Sequence, residues 1–137
     1  MKEETTLAAH KTGTVDVPVR VRLTFDPKDP FAVTFAFRNG RRGEVPWMFG
    51  RELLFDGLAS PTPVGDGDVR LTRISQDTLQ MEISSPSGSA QFEFDVEPVA
   101  DFLAAASAEA AEIMNSDLAC DELFPARGAD RGDVGSG

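Results

Sequence analysis

Apolar and polar residues alternate singly through most of this chain. Val17, Val19, Val21, Leu23 and Phe25 fall on one side of such a pattern, with Pro18, Arg20, Arg22 and Thr24 on the other. Phe31, Val33, Phe35 and Phe37 alternate with Ala32, Thr34 and Ala36, and Val45, Trp47 and Phe49 alternate with Glu44, Pro46 and Met48. The pattern returns at Val69 and Leu71, at Leu79, Met81 and Ile83, and at Phe92, Phe94 and Val96. A period of two predicts antiparallel strands with one buried face. Turn-forming stretches separate them: "DPKDP", "NGRRG", "GDGD" and "SPSG". Asn39-Gly40 suits a hairpin, since both residues tolerate positive φ.

The period changes twice. "RELLFDGL" places Leu54 and Leu58 on one helical face, with Gly57 and Pro61 near its end. From Pro98, the residues Val99, Phe102, Leu103, Ala106, Ala110, Ile113 and Met114 form a helical stripe, and proline fits the first turn. The spacing predicts a helix over about 98–114, with Asp101, Ala104, Ala108 and Ala111 on its opposite face. The order is an α+β chain of two β-β-β-α halves with antiparallel sheets, an extra N-terminal strand being left open. A single domain is expected over 1–124. The aperiodic "PARGADRGDVGSG" that closes the chain is expected to be a disordered tail over 125–137.

Charge narrows the partners. The net charge of -10 over 137 residues is uneven, with residues 1–60 near neutrality and the remainder strongly acidic. Such a field opposes phosphate backbones, so nucleic-acid binding needs a local basic patch. Cys120 is the one cysteine, which leaves no disulfide framework or cysteine metal site within one chain. The N-terminal stretch has no apolar leader region, and no run reaches membrane-spanning length. A cytoplasmic location is the expectation.

No catalytic constellation is evident, and no motif calls for a cofactor or a metal. His10, the single histidine, lies in a polar stretch and reads as solvated. Cys120 reads as a small apolar filler, and "SSPSGS" as a turn rather than a nucleophile elbow. "DGDVRLTRISQD" fails as a calcium loop, because Leu71 replaces the required glycine and no helices flank it. "GDGDVR" fails as a dinucleotide fingerprint at Arg70. "RGD" at 131–133 reads as coincidence. "RNGRRG" gathers Arg38, Arg41 and Arg42 at one hairpin tip, a solvated turn or a contact for an anionic partner.

Four stretches in series, "DPFAV", "VPWMFGRELLFDGL", "PTPVGDGDVRL" and "ISSPSGSAQFEF", followed by "FLAAA", resemble the SsgA-like proteins of sporulating actinobacteria. That family's pattern runs D-P-[YF]-A-V, W-x-F-A-R-[DE]-L-L-x-x-G-L, G-D-V, S-P-x-G-x-A and F-L. The likeness covers about Val15 to Ala106. Gly50 stands where the family has Ala, Phe31 where Tyr is usual, and the N-terminal region is shorter. The resemblance implies a Whirly-like fold of two antiparallel sheets and helices, assembled as a small symmetric homo-oligomer such as a trimer. It also implies a non-enzymatic part in sporulation-linked division, assisting the FtsZ machinery or an SsgA-like paralogue at the septum.

Two functions follow. One is a protein–protein adaptor; the other is a single-stranded nucleic-acid binder of Whirly-like fold. The second needs exposed aromatics among basic residues, whereas the aromatics here fall mainly on the buried parity. The adaptor is favoured. Trp47 shares its parity with Val45 and Phe49 and is expected in the core. Met48 points the other way and, with Arg51 and Glu52 at the helix start, forms the expected partner contact, beside the arginines of the hairpin tip.

Overall fold

Four strands, a short helix, three strands and a long helix follow one another along the chain. In the computed structural model the described residues are 1–40, 43–65 and 67–123, with side chains to residue 115. They are β1 (Lys2–Lys11), β2 (Asp16–Phe25), β3 (Ala32–Asn39), β4 (Gly43–Gly50), α1 (Arg51–Ala59), β5 (Val69–Arg73), β6 (Thr78–Ser85), β7 (Gly88–Asp95) and α2 (Val96–Leu123). The expected tail over 125–137 lies outside the described residues. The chain divides into two compact units, residues 1–106 and 107–137. The first holds the sheet, α1 and the opening turns of α2. The second begins within α2, where Ala108 and Ala111 are exposed.

The strands form one seven-stranded sheet in the order β4-β3-β2-β1-β7-β6-β5, antiparallel throughout. Two separate sheets were expected; β1 joins them. It pairs with β2 along its whole length, Lys2 opposite Phe25 and Lys11 opposite Asp16. Its last four residues also pair with β7, Ala8 opposite Phe94. The strand that was left open is therefore the centre of the sheet.

That sheet is strongly curled. Three strand spacings separate β3 from β7, about 14 Å across a flat sheet. Yet the Phe37 and Phe92 rings are 4.5 Å apart, and those of Phe35 and Phe94 are 5.5 Å apart. The alternating apolar parity lines the concave side, where Val21, Leu23, Phe25, Val33, Phe35, Leu71, Leu79, Met81 and Phe94 are buried. Helix α1 closes one end against β5, its Leu54 fully buried. The approach is tight at Gly57, where a Cβ would lie 2.5 Å from the Leu71 Cβ. Gly57 serves this contact rather than a helix cap, and Ser60 takes the C-cap position. Arg73 ties the junction by donating to the Leu58 carbonyl at 2.7 Å.

Several sequence expectations are corrected. Phe31 sits in the turn before β3, exposed, because the chain leaves the strand at Ala32. Val96 begins α2 instead of ending β7, and α2 continues past Met114 to Leu123. His10, expected in solvent, is half-buried with its ring stacked on Phe92 at 4.7 Å. Trp47 has the expected parity but is only half-buried, because among the described residues no helix lines that end of β4.

Candidate functional site

The two hairpin-borne groups of candidate residues lie at opposite ends of β4. A strand rises about 3.4 Å per residue, so Glu44, which pairs with Arg38, stands well over 10 Å from Met48 along the edge. Arg38 belongs to the open end of the sheet. Arg41 and Arg42 lie outside the described residues.

Met48, Arg51 and Glu52 meet at the corner where β4 turns into α1. Met48 pairs with Thr34 on the convex face, and its side chain is 67% exposed. Glu52 is exposed on the first turn of α1. Arg51 is half-buried and works inward. Its backbone N–H donates to the Phe31 carbonyl at 2.8 Å, and its Nε donates to the Pro30 carbonyl at 2.8 Å. These bonds pin the turn before β3 to the start of α1, so Arg51 builds the corner.

The corner also gathers two aromatic rings that the alternation pattern did not assign to it. Phe31 is held there through its carbonyl and is 67% exposed. Phe55 follows Arg51 by one helical turn and is 61% exposed. The signal for Phe55 was present in the sequence: it sits one position off the Leu54/Leu58 face. Phe31 carried no such signal, since its parity matches the core. Phe31, Met48 and Phe55 thus present exposed apolar surface around one helix start, with Asp29, Glu52 and Asp56 exposed among them. Large exposed apolar groups in close company mark contact surfaces more often than isolated ones do.

The open end of the sheet is different in kind. The concave face there forms a cavity of about 620 Å³ walled by His10, Val17, Phe37, Val45, Trp47 and Phe92, with Arg38 and Asn39 from one hairpin and Ser85 and Ser89 from another. On the convex side, Arg22 reaches across β3 to Glu44, donating from Nε at 3.0 Å and from a terminal nitrogen at 2.6 Å. Those bonds and the guanidinium charge hold the Glu44 carboxyl below its ordinary value. Among the described residues no cluster of three His, Cys, Asp or Glu could hold a metal ion. No described helix is long and apolar enough to cross a membrane.

The sheet edges are unequal. Beyond β5 lies Val64, which exchanges backbone hydrogen bonds with Leu71 at 2.8 and 2.9 Å, and the Arg73 N–H donates to the Ser60 carbonyl. No described strand covers β4. There Pro46 interrupts the outer edge, a residue type that blunts strand addition.

Comparison with known proteins gives a consistent result. The family described as "Streptomyces sporulation and cell division protein, SsgA" matches residues 19–112. The sporulation-specific cell division protein SsgB of Saccharopolyspora erythraea is 48% identical over 87 residues, 64% of this chain and 62% of that protein. SsgB of Salinispora tropica is 35% identical over 134 residues, 90% of this chain and 92% of that protein. Against the relatives from Saccharopolyspora erythraea, Frankia casuarinae and Thermobifida fusca, the match spans 62–64% of their length. Two solved structures share the fold. An SsgA-like sporulation-specific cell division protein from Thermobifida fusca aligns with a TM-score of 0.70 at 27% identity, over 89% of this chain and 94% of that one. A structure from work on SsgB mutations that correlate to longitudinal cell division in sporulating Streptomyces coelicolor aligns with a TM-score of 0.70 at 31% identity, over 77% and 85%.

Proposed function

This chain belongs to the SsgA family of sporulation and cell division proteins, and from that premise we propose that it is a non-enzymatic adaptor at the division septum, contacting FtsZ or an SsgA-like paralogue and assisting septal wall synthesis. The observation that carries the reading is the exposed corner of Phe31, Met48 and Phe55. Apolar side chains left uncovered on rigid elements gain free energy when a partner covers them. Glu52 beside them supplies a charge that sets orientation more than affinity.

The test is a Met48→Glu/Phe55→Glu double variant. Both side chains are exposed, so its urea midpoint should match the parent's, with stability changed by about 0.5 kcal/mol or less. Capture of FtsZ in a pull-down, and septal localisation in sporulating hyphae, should both be lost. Retention of both in the folded variant removes the corner from the function.

The same reading includes a Whirly-like relationship and a small symmetric oligomer such as a trimer. The exposed Ala108 and Ala111 of α2 support it, since small side chains let a neighbour approach closely. The covered β5 edge and the proline in β4 argue against strand pairing as the route. Sedimentation equilibrium should give a mass above 14.7 kDa, and Ala108→Glu should return it to the single-chain value. A single-chain mass for the parent ends the oligomer claim.

A further inference from the structure

The chemistry of the corner selects the kind of partner it takes, an inference that rests on its being the adaptor surface. Helix α1 buries Leu54 and Gly57 and turns Glu52, Phe55, Asp56 and Ala59 outward. Residues four apart lie one above the other on a helix. The outward face is therefore two adjacent ridges, an acidic one of Glu52 and Asp56 and an apolar one of Phe55 and Ala59. Ridges at that spacing are the surfaces by which helices pack on one another. Phe31 and Met48, each 67% exposed, extend the apolar surface beyond the start of the helix.

Charge around this surface is one-sided. Asp26, Asp29, Glu52 and Asp56 are exposed there, against Lys28 and the half-buried Arg51. Asp26 accepts from the Lys28 N–H at 2.9 Å and so shapes the turn, while the Arg51 Nε is directed to the Pro30 carbonyl. The outward face of α1 carries both carboxylates and no cation. A helix dipole accounts for an acid in the first turn, and Glu52 sits there. Asp56 lies a turn further along, where that attraction has faded. The chain's own helices do not supply the complement. In α1 the one basic residue is Arg51, and α2 has no lysine or arginine from Val96 to Leu123. Two copies also repel through a net charge of -10 each.

An apolar ridge flanked by an acidic one selects a helix that carries the reverse pattern. We propose that the corner docks a basic amphipathic helix of a different protein. Its apolar stripe covers Phe55, Met48 and Phe31, and its Lys or Arg side chains run along Glu52 and Asp56. Apolar contact supplies the free energy, and the carboxylates fix the register and direction of the docked helix. The same carboxylates repel anionic headgroups, so a lipid surface is the disfavoured occupant.

Three labelled peptides of about 18 residues are titrated with the full chain by fluorescence anisotropy. The first is a helix with leucine at the a and d positions of a heptad and lysine at e and g. The second has glutamate in place of lysine, and the third has the composition of the first in shuffled order. The first should bind with a midpoint of about 10–100 µM, and the other two at least about tenfold more weakly. Glu52→Gln/Asp56→Asn should weaken the first peptide about fivefold and flatten its salt dependence between about 50 and 300 mM. Met48→Ser/Phe55→Ser should weaken it about tenfold at every salt concentration. Neither variant should melt differently from the parent, since all four side chains are exposed. No binding of the first peptide up to about 1 mM overturns the proposal. Equal binding of the glutamate or shuffled peptide overturns it too, as does an unchanged affinity in either variant. Cosedimentation with phosphatidylglycerol vesicles that Met48→Ser/Phe55→Ser abolishes overturns it in favour of a lipid surface. Septal localisation separates this inference from the adaptor reading, and both Met48→Glu/Phe55→Glu and Glu52→Gln/Asp56→Asn should lose it. Loss in the first with full retention in the second keeps the adaptor corner and overturns the basic helix. Retention in both ends the two together.

Discussion

The concave face of the sheet has two ends built from the same strands, one closed and one open. Burial falls along β2 and β4 in the same sense. On β2, Phe25, Leu23 and Val21 are buried, Val19 is half-buried and Val17 is 42% exposed. On β4, Phe49 is buried while Trp47 and Val45 are half-buried. The residue types barely differ from one end to the other, and neither does the alternation. What differs is cover: α1 presses Leu54 and Gly57 onto the closed end, and among the described residues strands and hairpin tips line the open end. Parity assigns a side chain to a face, but tertiary packing decides how much of that face leaves water.

The largest expected effect lies at the closed end. Leu71 is fully buried against the space where Gly57 has no side chain. Leu71→Ala should lower unfolding free energy by about 3–4 kcal/mol, read from urea denaturation. At the open end Trp47→Ala removes a larger side chain but an incompletely buried one, and should cost about 1–3 kcal/mol. Parity alone would rank these two the other way round, tryptophan being the bigger group. A Trp47→Ala loss equal to or above that of Leu71→Ala would break the comparison and mean that the open end is covered in solution.

The two ends were not equally legible from the sequence. Six strands could be read because one parity is apolar, and that parity is buried wherever the sheet is covered. β1 escaped this reading for a physical reason. Its large apolar residue, Leu7, lies on the convex face and is exposed, while the concave parity offers only Thr6, Ala8 and His10. The strand is held by backbone pairing on both sides, which leaves no hydrophobic signature. The corner was half legible: Met48 and Glu52 could be placed by parity and helix phase. Phe31 could not, since it obeys the parity of β3 but precedes the strand. The cavity was not legible at all, because His10, Arg38, Trp47 and Phe92 come together only when the sheet curls.

The smallest expected effect sharpens the comparison from the other side of the sheet. Where helical cover is lacking, β4 is braced on the convex face by the Arg22–Glu44 pair, which spans β3 over the small side chain of Ala36. Hydrogen bonds from Arg22, and then its charge, hold the folded-state pKa of Glu44 below the ordinary value of 4.5. A carboxylate shifted in that direction stabilises the fold at every pH above its unfolded-state pKa, and the contribution disappears as pH falls through the folded-state pKa. Arg22, its own pKa raised by the hydrogen bond to Glu44, stays charged across this range. The parent should therefore melt slightly higher than Glu44→Gln at neutral pH, and the gap should close as the solution is acidified below 4.5. Salt should narrow the same gap at neutral pH, since both partners are solvent-accessible. A difference that persists unchanged at pH 3 would mean that Glu44 supports β4 through its packing and not its charge, and the open end would then have no electrostatic brace.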